Sequence, residues 1–566
     1  LHAAPADVVW LSAEQVVAEG WLARMRAAAQ LDLRIATATA LTNAGTVGAV
    51  AVPSGRAPAE AAQAVKDGSA RIRPRVAAPG QHCVYIRRGA IELAGEFASL
   101  EDLARRCTQR GLRHVLADDV LTVAPDAPAS REAVSSAAQR TEPLPRALSA
   151  ARRSLHGVSL AIDARGLAGP ANGERLQVLE LIGAAARTGE QRVTAIISGE
   201  LDPAVAQLLD GIAGVELLRL EDPEMPPPGF RADVVHRPVP VAAAADLRWL
   251  AEVAERLVLS HHDLVAYGSP DYFAGPLGWE RHRELVRAAV GGADRVLFPS
   301  AAARDEALAE DLLERQRASL VPFGIDRPVG SSLDAEPSAP PGLPDRGELI
   351  VCLGSDHRHR NRPFALAILG ELKQKHGWGG SLVLAGPHAE FGSSREEEAR
   401  LVEGDPSGAE AVFDVGELAD SELRWLLDRA RLVISPSVYE VLPAALFQAA
   451  AQGVPCLWAP GGAMGEIVPD RFAAIVPWDA AASAEAALRL MRDGSGREQN
   501  VGALRGAASS LRWETTARLL AEVYRLVCQE PPVPAAALAP APPPGRVPEP
   551  PPPPEPPPPP EPPPEA

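Results

Sequence analysis

Short apolar segments alternate with helical patterns through residues 153–528, and this alternation constrains the fold more than any other feature of the sequence. The first series of predicted strands comprises residues 158–163, 192–198, 215–220, 232–236, 257–262, 295–300 and 319–323. The second series comprises residues 349–354, 381–386, 411–415, 432–436, 454–459 and 473–477. Short buried strands that are separated by helices form parallel sheets covered on both faces. The sequence therefore predicts the α/β class.

A segment rich in proline, glycine and serine, residues 327–347, separates the two series. We expect two doubly wound, Rossmann-like domains that face each other across a cleft. Ligands of such sheets bind outside the carboxyl ends of the strands, so the side chains that follow the strands are the candidates for a site. The predicted boundaries are 1–125 for an N-terminal α/β region, 126–152 for a linker or surface helix, 153–325 and 326–528 for the two domains, and 529–566 for a tail.

Composition excludes several classes of function. The chain has 566 residues and a formal net charge of −17, without the basic face or tail of a nucleic-acid-binding protein. No apolar stretch reaches the ~18 residues that suggest a membrane-spanning helix. The five cysteines are scattered without metal-ligand spacing, which is typical of buried, reduced thiols. We expect a cytoplasmic location with peripheral membrane contact as an option, no signal peptide, and, because the first residue is not Met, a start within a longer gene product.

The most informative motif runs from Ser435 to Pro455 and reads as strand, loop, helix, glycine stop and next strand. The start of its helix, near Leu442, offers unpaired N–H groups and the positive end of the helix dipole, which suit a phosphate. Glu440 enters this position from the loop, although the dipole alone also favours a glutamate at a helix start. Gln448 has two expected roles, contact with a sugar hydroxyl or packing of the helix.

This motif resembles retaining glycosyltransferases of family 4, which have the two-domain GT-B fold. The signature of that family is a Glu, seven residues and a second Glu, and the match runs without a gap from Glu440 to Pro455. Val441 replaces a usual Gly, and Gln448 replaces the second Glu, which typically contacts the nucleotide ribose. An amide can bind a hydroxyl but lacks the charge-assisted acceptor of a carboxylate. The resemblance therefore leaves weakened donor binding and loss of activity as alternatives.

Other segments resemble the same family in order and spacing. Residues 351–361 resemble its strand, glycine turn and Lys-Asn element, with Arg360 in place of the Lys and Arg358 close by. Gly416 matches a loop that usually touches the nucleotide base. Residues 321–326 resemble the hinge into the second domain, and residues 511–514 resemble the start of a closing helix.

Three segments of the first domain complete the resemblance, which covers about 375 residues. Residues 161–173 resemble its opening strand and glycine-bearing loop, and these glycines do not form a dinucleotide fingerprint. Residues 260–264 contain a His-Asp-Leu element, and residues 293–300 contain an Ala-Asp-x-Val element. A histidine that follows a strand can also have a purely structural role, and this alternative applies to His262.

The resemblance implies a set of site residues. The implied donor-binding residues are Gly354, Arg358, Arg360, Asn361, Gly416, Glu440, Leu442 and Gln448. The residues implied in catalysis are His262, Asp263 and Glu440, and the implied acceptor-side loop contains Gly166, Gly169 and Gly173. The implied reaction is hexosyl transfer from a nucleotide-diphosphate sugar to a glycan or glycolipid with retention of configuration. Orientation and charge stabilisation by the protein would then carry catalysis, and neither a metal nor another cofactor is implied.

The first 125 residues resemble the middle of a family 2 glycosyltransferase of the GT-A fold. Residues 7–22 match a strand, a metal-binding acidic triplet and a Gly-Trp-Leu element, but the triplet reads Ser-Ala-Glu and only Glu14 keeps a carboxylate. A divalent cation that holds a diphosphate requires several anionic oxygens. Residues 101–106 resemble the Glu-Asp-x-x-x-Arg helix, in which Asp102 matches the catalytic base. We interpret this region as an inactive remnant.

The tail holds 21 of the 56 prolines within residues 531–566, a composition that favours an extended, disordered spacer. Its alternative role is to bind a protein partner that recognises proline-rich segments. For the whole chain, the alternative to a polysaccharide- or glycolipid-synthesising bacterial enzyme is a degenerate, non-catalytic glycosyltransferase-like partner protein.

Overall fold

The computed structural model describes residues 5–45, 47–125, 142–168, 173–326, 336–343, 347–404, 409–442, 444–469 and 475–534. The strands are β1 Val8–Leu11, β2 Ile35–Thr42, β3 Arg75–Val76, β4 Cys83–Ile86, β5 Arg113–Thr122, β6 Val158–Asp163, β7 Gln191–Ser198, β8 Val215–Leu220, β9 Ala232–Arg237, β10 Ala254–Ser260, β11 Arg295–Phe298, β12 Ala318–Leu320, β13 Leu349–Leu353, β14 Ser381–Ala385, β15 Val412–Gly416, β16 Ala430–Ser435 and β17 Cys456–Trp458. The helices are Trp21–Gln30, Pro58–Gly68, Arg88–Ala94, Leu100–Gln109, Pro143–His156, Gly173–Arg187, Pro203–Asp210, Ala244–Val253, Val265–Gly268, Pro276–Gly292, Ala301–Ala309, Arg362–His376, Arg395–Gly404, Asp420–Arg429, Ala444–Ala451, Ala463–Ile467, Ala480–Arg492, Gly494–Ser510 and Trp513–Gln529.

The N-terminal region forms a mixed sheet of order β1-β4-β2-β5-β3, in which β2 and β5 pair in parallel and the other pairs are antiparallel. Strand β5 carries two buried carboxylates, Asp118 and Asp119. Arg73 binds Asp119 at 2.5 and 2.7 Å, and the backbone N–H of Ile72 donates to Asp118 at 3.0 Å. This network satisfies the buried charges, and the likeness of the region to family 2 stays a prediction.

Helix Pro143–His156 connects the N-terminal region to the middle sheet. Of the predicted linker 126–152, residues 126–141 lie outside the described residues, and residues 143–152 belong to this helix, which continues past the expected boundary. Its apolar side packs with helix Pro58–Gly68 in one core cluster. From its other side, Arg152 binds the buried Asp233 of β9 at 2.5 Å. Apolar packing on one side and an ion pair on the other therefore hold the helix between the two units.

The middle sheet has seven parallel strands in the order β12-β11-β10-β9-β6-β7-β8. Helices cover both of its faces, with a separate apolar core on each side. The order reverses between β6 and β9, which is the position where a doubly wound sheet opens its crevice. Strand β10 begins at Ala254, earlier than expected, because its first residue already pairs with Ala232 of β9. The strand ends at Ser260, so His261 and His262, which were predicted as its last residues, follow it.

The last sheet has five parallel strands in the order β15-β14-β13-β16-β17, with helices on both faces. Its order reverses between β13 and β16. Of the strand predicted over 473–477, residues 473–474 lie outside the described residues and 475–477 are not in a strand. The two parallel sheets confirm the α/β class and the two Rossmann-like units that the alternation predicts.

The hinge motif and the start of the closing helix, far apart in sequence, meet in the structure. Asp326 Oδ1 accepts a hydrogen bond from Trp513 N at 2.8 Å. A side chain on Gly324 would place its Cβ 2.2 Å from the same nitrogen, so the chain requires glycine there. Helix Trp513–Gln529 then returns to the middle domain, where Tyr524 Oη lies 2.8 Å from His236 Nδ1. The polypeptide thus crosses between the two parallel-sheet domains twice at this hinge.

Among the residues that the structure describes, no helix is both long and apolar enough to cross a membrane. All five cysteines are free and buried, as the sequence predicts.

Candidate active site

Arg360 and Glu440 form an ion pair at the point where the strand order of the last sheet reverses. Arg360 follows β13 and Glu440 follows β16, and these strands are parallel neighbours. Their carboxyl ends therefore lie side by side and bring together residues that are 80 positions apart. The Arg360 side chain is 29% exposed and that of Glu440 12%, so solvent reaches part of the pair, mainly on the Arg360 side.

The backbone around Glu440 is held by its neighbours. Val438 N donates to His359 O at 2.7 Å, which joins the loop after β16 to the turn after β13. The carbonyl of Glu440 accepts from Ala463 N at 3.1 Å. Gly462 has a φ of 59°, and a Cβ at this position would lie 2.8 Å from the same carbonyl oxygen. The position of Glu440 therefore depends on a glycine that the motif itself does not include.

Three glycines at neighbouring strand ends form a floor beside the ion pair. Gly354 follows β13 with a φ of 130°, and Gly416 closes β15 with a φ of 65°. Gly386, between them, donates its N–H to Gly416 O at 2.7 Å, and a Cβ on it would lie 2.3 Å from Gly354 O. Glycine at 386 therefore lets the turns after β13 and β14 approach closely, and the positive φ of Gly354 and Gly416 favours glycine at those two positions. Arg362 lies buried beneath, with Nη2 2.5 Å from Gly354 O, and sequence reasoning missed it because it is one of many arginines.

The remaining predicted donor residues surround this floor. Asn361 adopts the left-handed conformation (φ 54°) and starts helix Arg362–His376. Leu442 is half-buried and packs against the apolar cores of both parallel-sheet domains. Gln448 is exposed on helix Ala444–Ala451, so the structure does not use it for packing. A role in ligand contact stays a prediction.

Arg358 points across the cleft. Its Nη1 lies 3.2 Å from Asp271 Oδ2 of the middle domain, and both side chains are more than half exposed. Beside it, Tyr272 Oη lies 2.8 Å from His359 Nδ1, and the Tyr272 ring stacks on that of His357 at 5.7 Å. Burial and the Arg360 charge lower the pKa of His359 to about 3, so this imidazole is neutral at pH 7. No local pattern identified Asp271 or Tyr272 because their partners are 87 positions away.

A carboxylate of the last domain binds the first turn of a helix in the middle domain. Glu466 Oε2 accepts from Ala301 N at 2.8 Å, and Oε1 accepts from Ala302 N at 2.5 Å. These N–H groups belong to the start of helix Ala301–Ala309, where the dipole favours an anion. Together with Arg358 and Tyr272, Glu466 holds the two domains in contact along the cleft.

His262 and Asp263, predicted in catalysis, lie directly beyond β10 on the middle-domain side of the cleft. The His262 ring packs edge-on against Phe323 at 5.5 Å. Asp263 Oδ1 accepts from Val265 N at 2.9 Å and begins a short helix. Burial first, and then negative charges that include Asp263, raise the pKa of Tyr439, the residue before Glu440. Asp263 therefore lies near the Glu440 loop, whereas its role and that of His262 stay predictions.

The predicted acceptor-side loop follows β6. Gly166 lies in a short turn, its carbonyl accepting from Arg175 Nε at 3.2 Å, and Gly173 begins helix Gly173–Arg187. Gly169 lies outside the described residues. Next to the loop, the buried Asp163 is bound by Arg165 at 2.9 Å and by Arg237 at 2.7 Å.

The two carboxylates of the N-terminal region have different surroundings. Glu14 is exposed in a turn after β1. Asp102 lies in the first turn of helix Leu100–Gln109, where Arg106 binds it at 3.0 Å and Ala98 N donates to it at 3.3 Å. The hydrogen bond from Arg106 is the main cause that lowers the pKa of Asp102, which makes this carboxylate a weaker base. In the part of the chain that the structure describes, no group of His, Cys, Asp and Glu has the arrangement of a metal site.

Comparison with known proteins locates the resemblance in the domain that holds Arg360 and Glu440. Residues 347–493 match the family model described as glycosyl transferases group 1. Over 150 residues, 26% of this chain, the sequence is 34% identical to EpsF of Bacillus subtilis (strain 168), which is named as a glycosyltransferase. The match spans about a third of that relative, 36% of its length.

Several solved structures are similar to part of this chain at low sequence identity. Sucrose-phosphate synthase from Thermosynechococcus elongatus is 17% identical, with 65% of this chain and 99% of that chain covered and a TM-score of 0.49. Anabaena HepE in complex with UDP and glucose is 16% identical, with 65% and 99% covered and a TM-score of 0.45. The family match, residues 347–493, includes both Arg360 and Glu440, so this part of the chain is similar to the glycosyl transferases group 1 family.

Proposed function

We propose that the chain transfers a sugar from a nucleotide-diphosphate sugar to a glycan or glycolipid acceptor, with retention of configuration. One observation carries the proposal. Arg360 and Glu440 meet at the switch point of the last sheet, beside the three closely packed glycine turns, and both lie within the matched segment. A cation and an anion in such a crevice suit a donor with a diphosphate at one end and sugar hydroxyls at the other.

The ion pair suggests how the donor enters. A diphosphate carries more negative charge than one carboxylate and competes with Glu440 for the Arg360 guanidinium. Once displaced, the Glu440 carboxylate is available to accept hydrogen bonds from hydroxyls of the transferred sugar. The N–H groups at the start of helix Ala444–Ala451 stabilise the second phosphate. Arg360 then stabilises the charge that develops on the leaving diphosphate.

Retention follows when the acceptor hydroxyl attacks from the face that the diphosphate leaves. The bond between the sugar C1 and the phosphate oxygen breaks, the bond from C1 to the acceptor oxygen forms, and a phosphate oxygen takes the hydroxyl proton. No protein base is needed in this scheme, so the chain contributes position and charge. His262 and Asp263 face this step from the middle domain and are proposed to contact the transferred sugar.

A second candidate is a non-catalytic partner protein, and one observation favours it. Gln448 is exposed and neutral, at the position where the resemblance implies a carboxylate. A neutral amide weakens the proposed ribose contact, whereas the proposed diphosphate contact keeps the charge of Arg360. Such a protein would bind nucleotides without turnover.

Turnover of a panel of nucleotide sugars separates the candidates. We expect hydrolysis or transfer with one donor, and Glu440→Ala should reduce it by roughly 10²–10³-fold, the loss seen when a preorganised charged or polar group is removed from an active site. Glu396→Ala, which removes an exposed carboxylate from helix Arg395–Gly404, is the control and should leave turnover unchanged. Nucleotide binding without turnover by the native chain, unaltered by Glu440→Ala, would establish the non-catalytic function instead.

Thermal unfolding with GDP, UDP, ADP and dTDP tests the donor site without chemistry. A nucleotide that binds the folded chain but not the unfolded chain raises Tm by mass action. The shift should disappear in Arg360→Ala, because that substitution removes the proposed diphosphate contact. Absence of any shift with all four nucleotides contradicts a donor site in this domain.

We also propose that the protein works in the cytoplasm, which the five free, buried cysteines favour because a reducing compartment keeps thiols unpaired. The proline-rich tail is proposed to act as a spacer or to recruit a protein partner. Co-purification with and without residues 535–566 tests the second role.

A further inference from the structure

The side chain of Tyr272, in the middle domain, is in contact with the last domain on three sides. The His357 ring stacks on the Tyr272 ring at 5.7 Å, with 29° between the two planes. The centroid of the His359 ring lies 5.8 Å from that of Tyr272. On the third side is Gly392, where a Cβ would lie 2.9 Å from Tyr272 Cδ1, so a side chain at 392 would displace the ring. We call the space bounded by His357, His359 and Gly392 the Tyr272 notch.

His359 links the Tyr272 notch to both members of the Arg360–Glu440 pair. Its Nδ1 lies 2.8 Å from Tyr272 Oη, and its backbone N–H donates to the same oxygen at 3.4 Å. Its carbonyl accepts from Val438 N at 2.7 Å, and Val438 lies two residues before Glu440. Arg360 is the next residue along the chain. A displacement of His359 therefore reaches the backbone next to both charged side chains.

The contact with Tyr272 depends on the charge state of His359. The Tyr272 oxygen already accepts from the His359 backbone N–H, so the hydroxyl hydrogen is available for Nδ1. Nδ1 accepts it only in the neutral ring that carries its proton on Nε2. Burial, followed by the charges of Arg360 and His357, lowers the pKa of His359 to about 3, so the ring is neutral at pH 7. A cationic ring would lose the hydrogen bond and would be repelled by Arg360.

The other groups around the ring are already paired or have the same sign of charge. The charged and titratable groups come from three elements: His357, Arg358 and Arg360 on the turn after β13, Asp263, Asp271 and Tyr272 in the middle domain, and Glu440 in the loop after β16. Arg358 pairs with Asp271 at 3.2 Å, and Arg360 pairs with Glu440. In the part of the chain that the structure describes, no carboxylate lies within ion-pair distance of the His359 ring.

We propose that Tyr272 is a positioning residue, which couples closure of the two parallel-sheet domains to the Arg360–Glu440 pair through a neutral His359. With Tyr272 in its notch, the turn after β13 and the loop after β16 are supported from the middle domain. When the domains separate, Tyr272 leaves the notch and both segments lose this support. The effect on sugar transfer rests on the proposed function, whereas the seating of Tyr272 and its dependence on the charge of His359 do not.

Protonation of His359 should oppose seating of Tyr272. Separation of the domains exposes the ring to water and raises its pKa from about 3 towards the ordinary value of 6.5. Between these values the open chain binds more protons than the closed chain. Closure is therefore fully favoured above about pH 6.5 and becomes weaker as the pH falls below it.

Gly392→Ala and Gly377→Ala are matched variants that test the seating. Both glycines have a positive φ, 69° and 63°, so alanine causes similar backbone strain at each. The added Cβ meets the Tyr272 ring at position 392, whereas at position 377 it meets no atom within 4 Å. Only Gly392→Ala should therefore displace Tyr272 from His359.

NMR of the full chain, labelled with ¹³C in its histidine rings, measures the protonation of His359, and His359→Gln assigns the signal. In the native chain and in Gly377→Ala the ring should stay neutral from about pH 8 to about pH 5, as its low pKa requires. In Gly392→Ala it should titrate within this range, a rise in pKa of roughly 2 units or more that follows from exposure of the ring.

Substitutions of Tyr272 separate the hydroxyl from the ring, and they serve if Gly392→Ala unfolds below the native Tm. Tyr272→Phe keeps the ring and removes the donor, so it should raise the pKa of His359 less than Tyr272→Ala does. Tyr267→Phe is the matched control, because its hydroxyl accepts from Arg283 Nη2 at 3.4 Å within the middle domain. With an active donor, Tyr272→Ala should also reduce kcat/KM roughly tenfold or more, the effect of misplaced binding groups.

Titration of His359 between about pH 5 and about pH 8 in the native chain would overturn the proposal. So would an equal change in Gly392→Ala and Gly377→Ala, or a native titration in both Gly392→Ala and Tyr272→Ala. Unchanged kcat/KM in Tyr272→Ala would overturn the coupling to the ion pair. A chain that shows the expected titrations but turns over no nucleotide sugar keeps the seating of Tyr272 and refutes the proposed activity, and turnover without the titration differences does the reverse.

Discussion

Each parallel-sheet domain has a carboxylate near the point where its strand order reverses, and the two have opposite surroundings. Asp163 closes β6, where the order of the middle sheet reverses, and Glu440 follows β16, where the order of the last sheet reverses. The Asp163 side chain is fully buried and bound by two guanidiniums, those of Arg165 and Arg237. Glu440 is bound by one, Arg360, which solvent reaches.

The difference shows how surroundings determine the use of a charge at a strand end. Arg165 itself binds Asp246 at 3.0 Å and lies 3.8 Å from the centroid of the Trp249 ring. Protein groups on both sides therefore hold this guanidinium in the Asp163 network. Removing one member leaves a buried charge without compensation. The Arg360–Glu440 pair can exchange partners with a ligand because water already reaches it. We interpret the first cluster as architectural and the second as ligand-binding.

The largest expected effect tests the architectural cluster. Asp163→Asn should lower the free energy of unfolding by about 3–5 kcal/mol, since two partly or fully buried guanidiniums lose their counterion. Chemical denaturation measures the difference. Glu440→Gln is the matched comparison and should cost less than Asp163→Asn, because its single partner, Arg360, is 29% exposed and can be hydrated. Equal losses in the two variants would break the distinction between the clusters.

Acid should weaken the same cluster by an amount that depends on pH. Burial alone raises the pKa of Asp163, but hydrogen bonds and charges from Arg165 and Arg237 more than offset it and hold the pKa below its usual value of 3.8. The folded state therefore binds fewer protons than the unfolded state near that pH, so the stabilisation is complete above the usual pKa and declines as the pH falls towards the lowered one.

Unfolding of the native chain and Asp163→Asn at about pH 6 and about pH 3 measures this decline. The gap in unfolding free energy between the two proteins should be smaller at the lower pH. A gap that stays constant would show that the carboxylate is not the charged member of the network.

The smallest expected effect concerns Gln448. If the donor site is active, Gln448→Glu should increase donor affinity or turnover by up to roughly tenfold, because a carboxylate forms a stronger hydrogen bond to a hydroxyl than an amide does. Steady-state kinetics with the best donor of the panel measures it. Gln452→Glu, one turn further along at the exposed end of the helix, is the control. A decrease on Gln448→Glu would place this residue away from the ribose.

Part of the candidate site could be predicted from the sequence. The strand–loop–helix pattern placed Glu440 after one strand and Arg360 after another, and both positions are correct. The pattern did not reveal that the two side chains pair, because pairing depends on β13 and β16 being neighbours in the sheet. It also missed Tyr272 and Glu466, whose partners lie in the other domain. Motifs describe residues close in sequence, whereas these contacts join distant segments.

The sequence by itself determined the α/β class, the two series of strands and the ends at which a ligand would be expected, because periodicity and propensity act over a few neighbouring residues. The tertiary structure decided the strand order and with it which strand ends meet. It also decided the burial that makes Asp163 structural and leaves Glu440 accessible, and the return of helix Trp513–Gln529 to the middle domain. These properties depend on packing between segments tens to hundreds of residues apart, which no local pattern records.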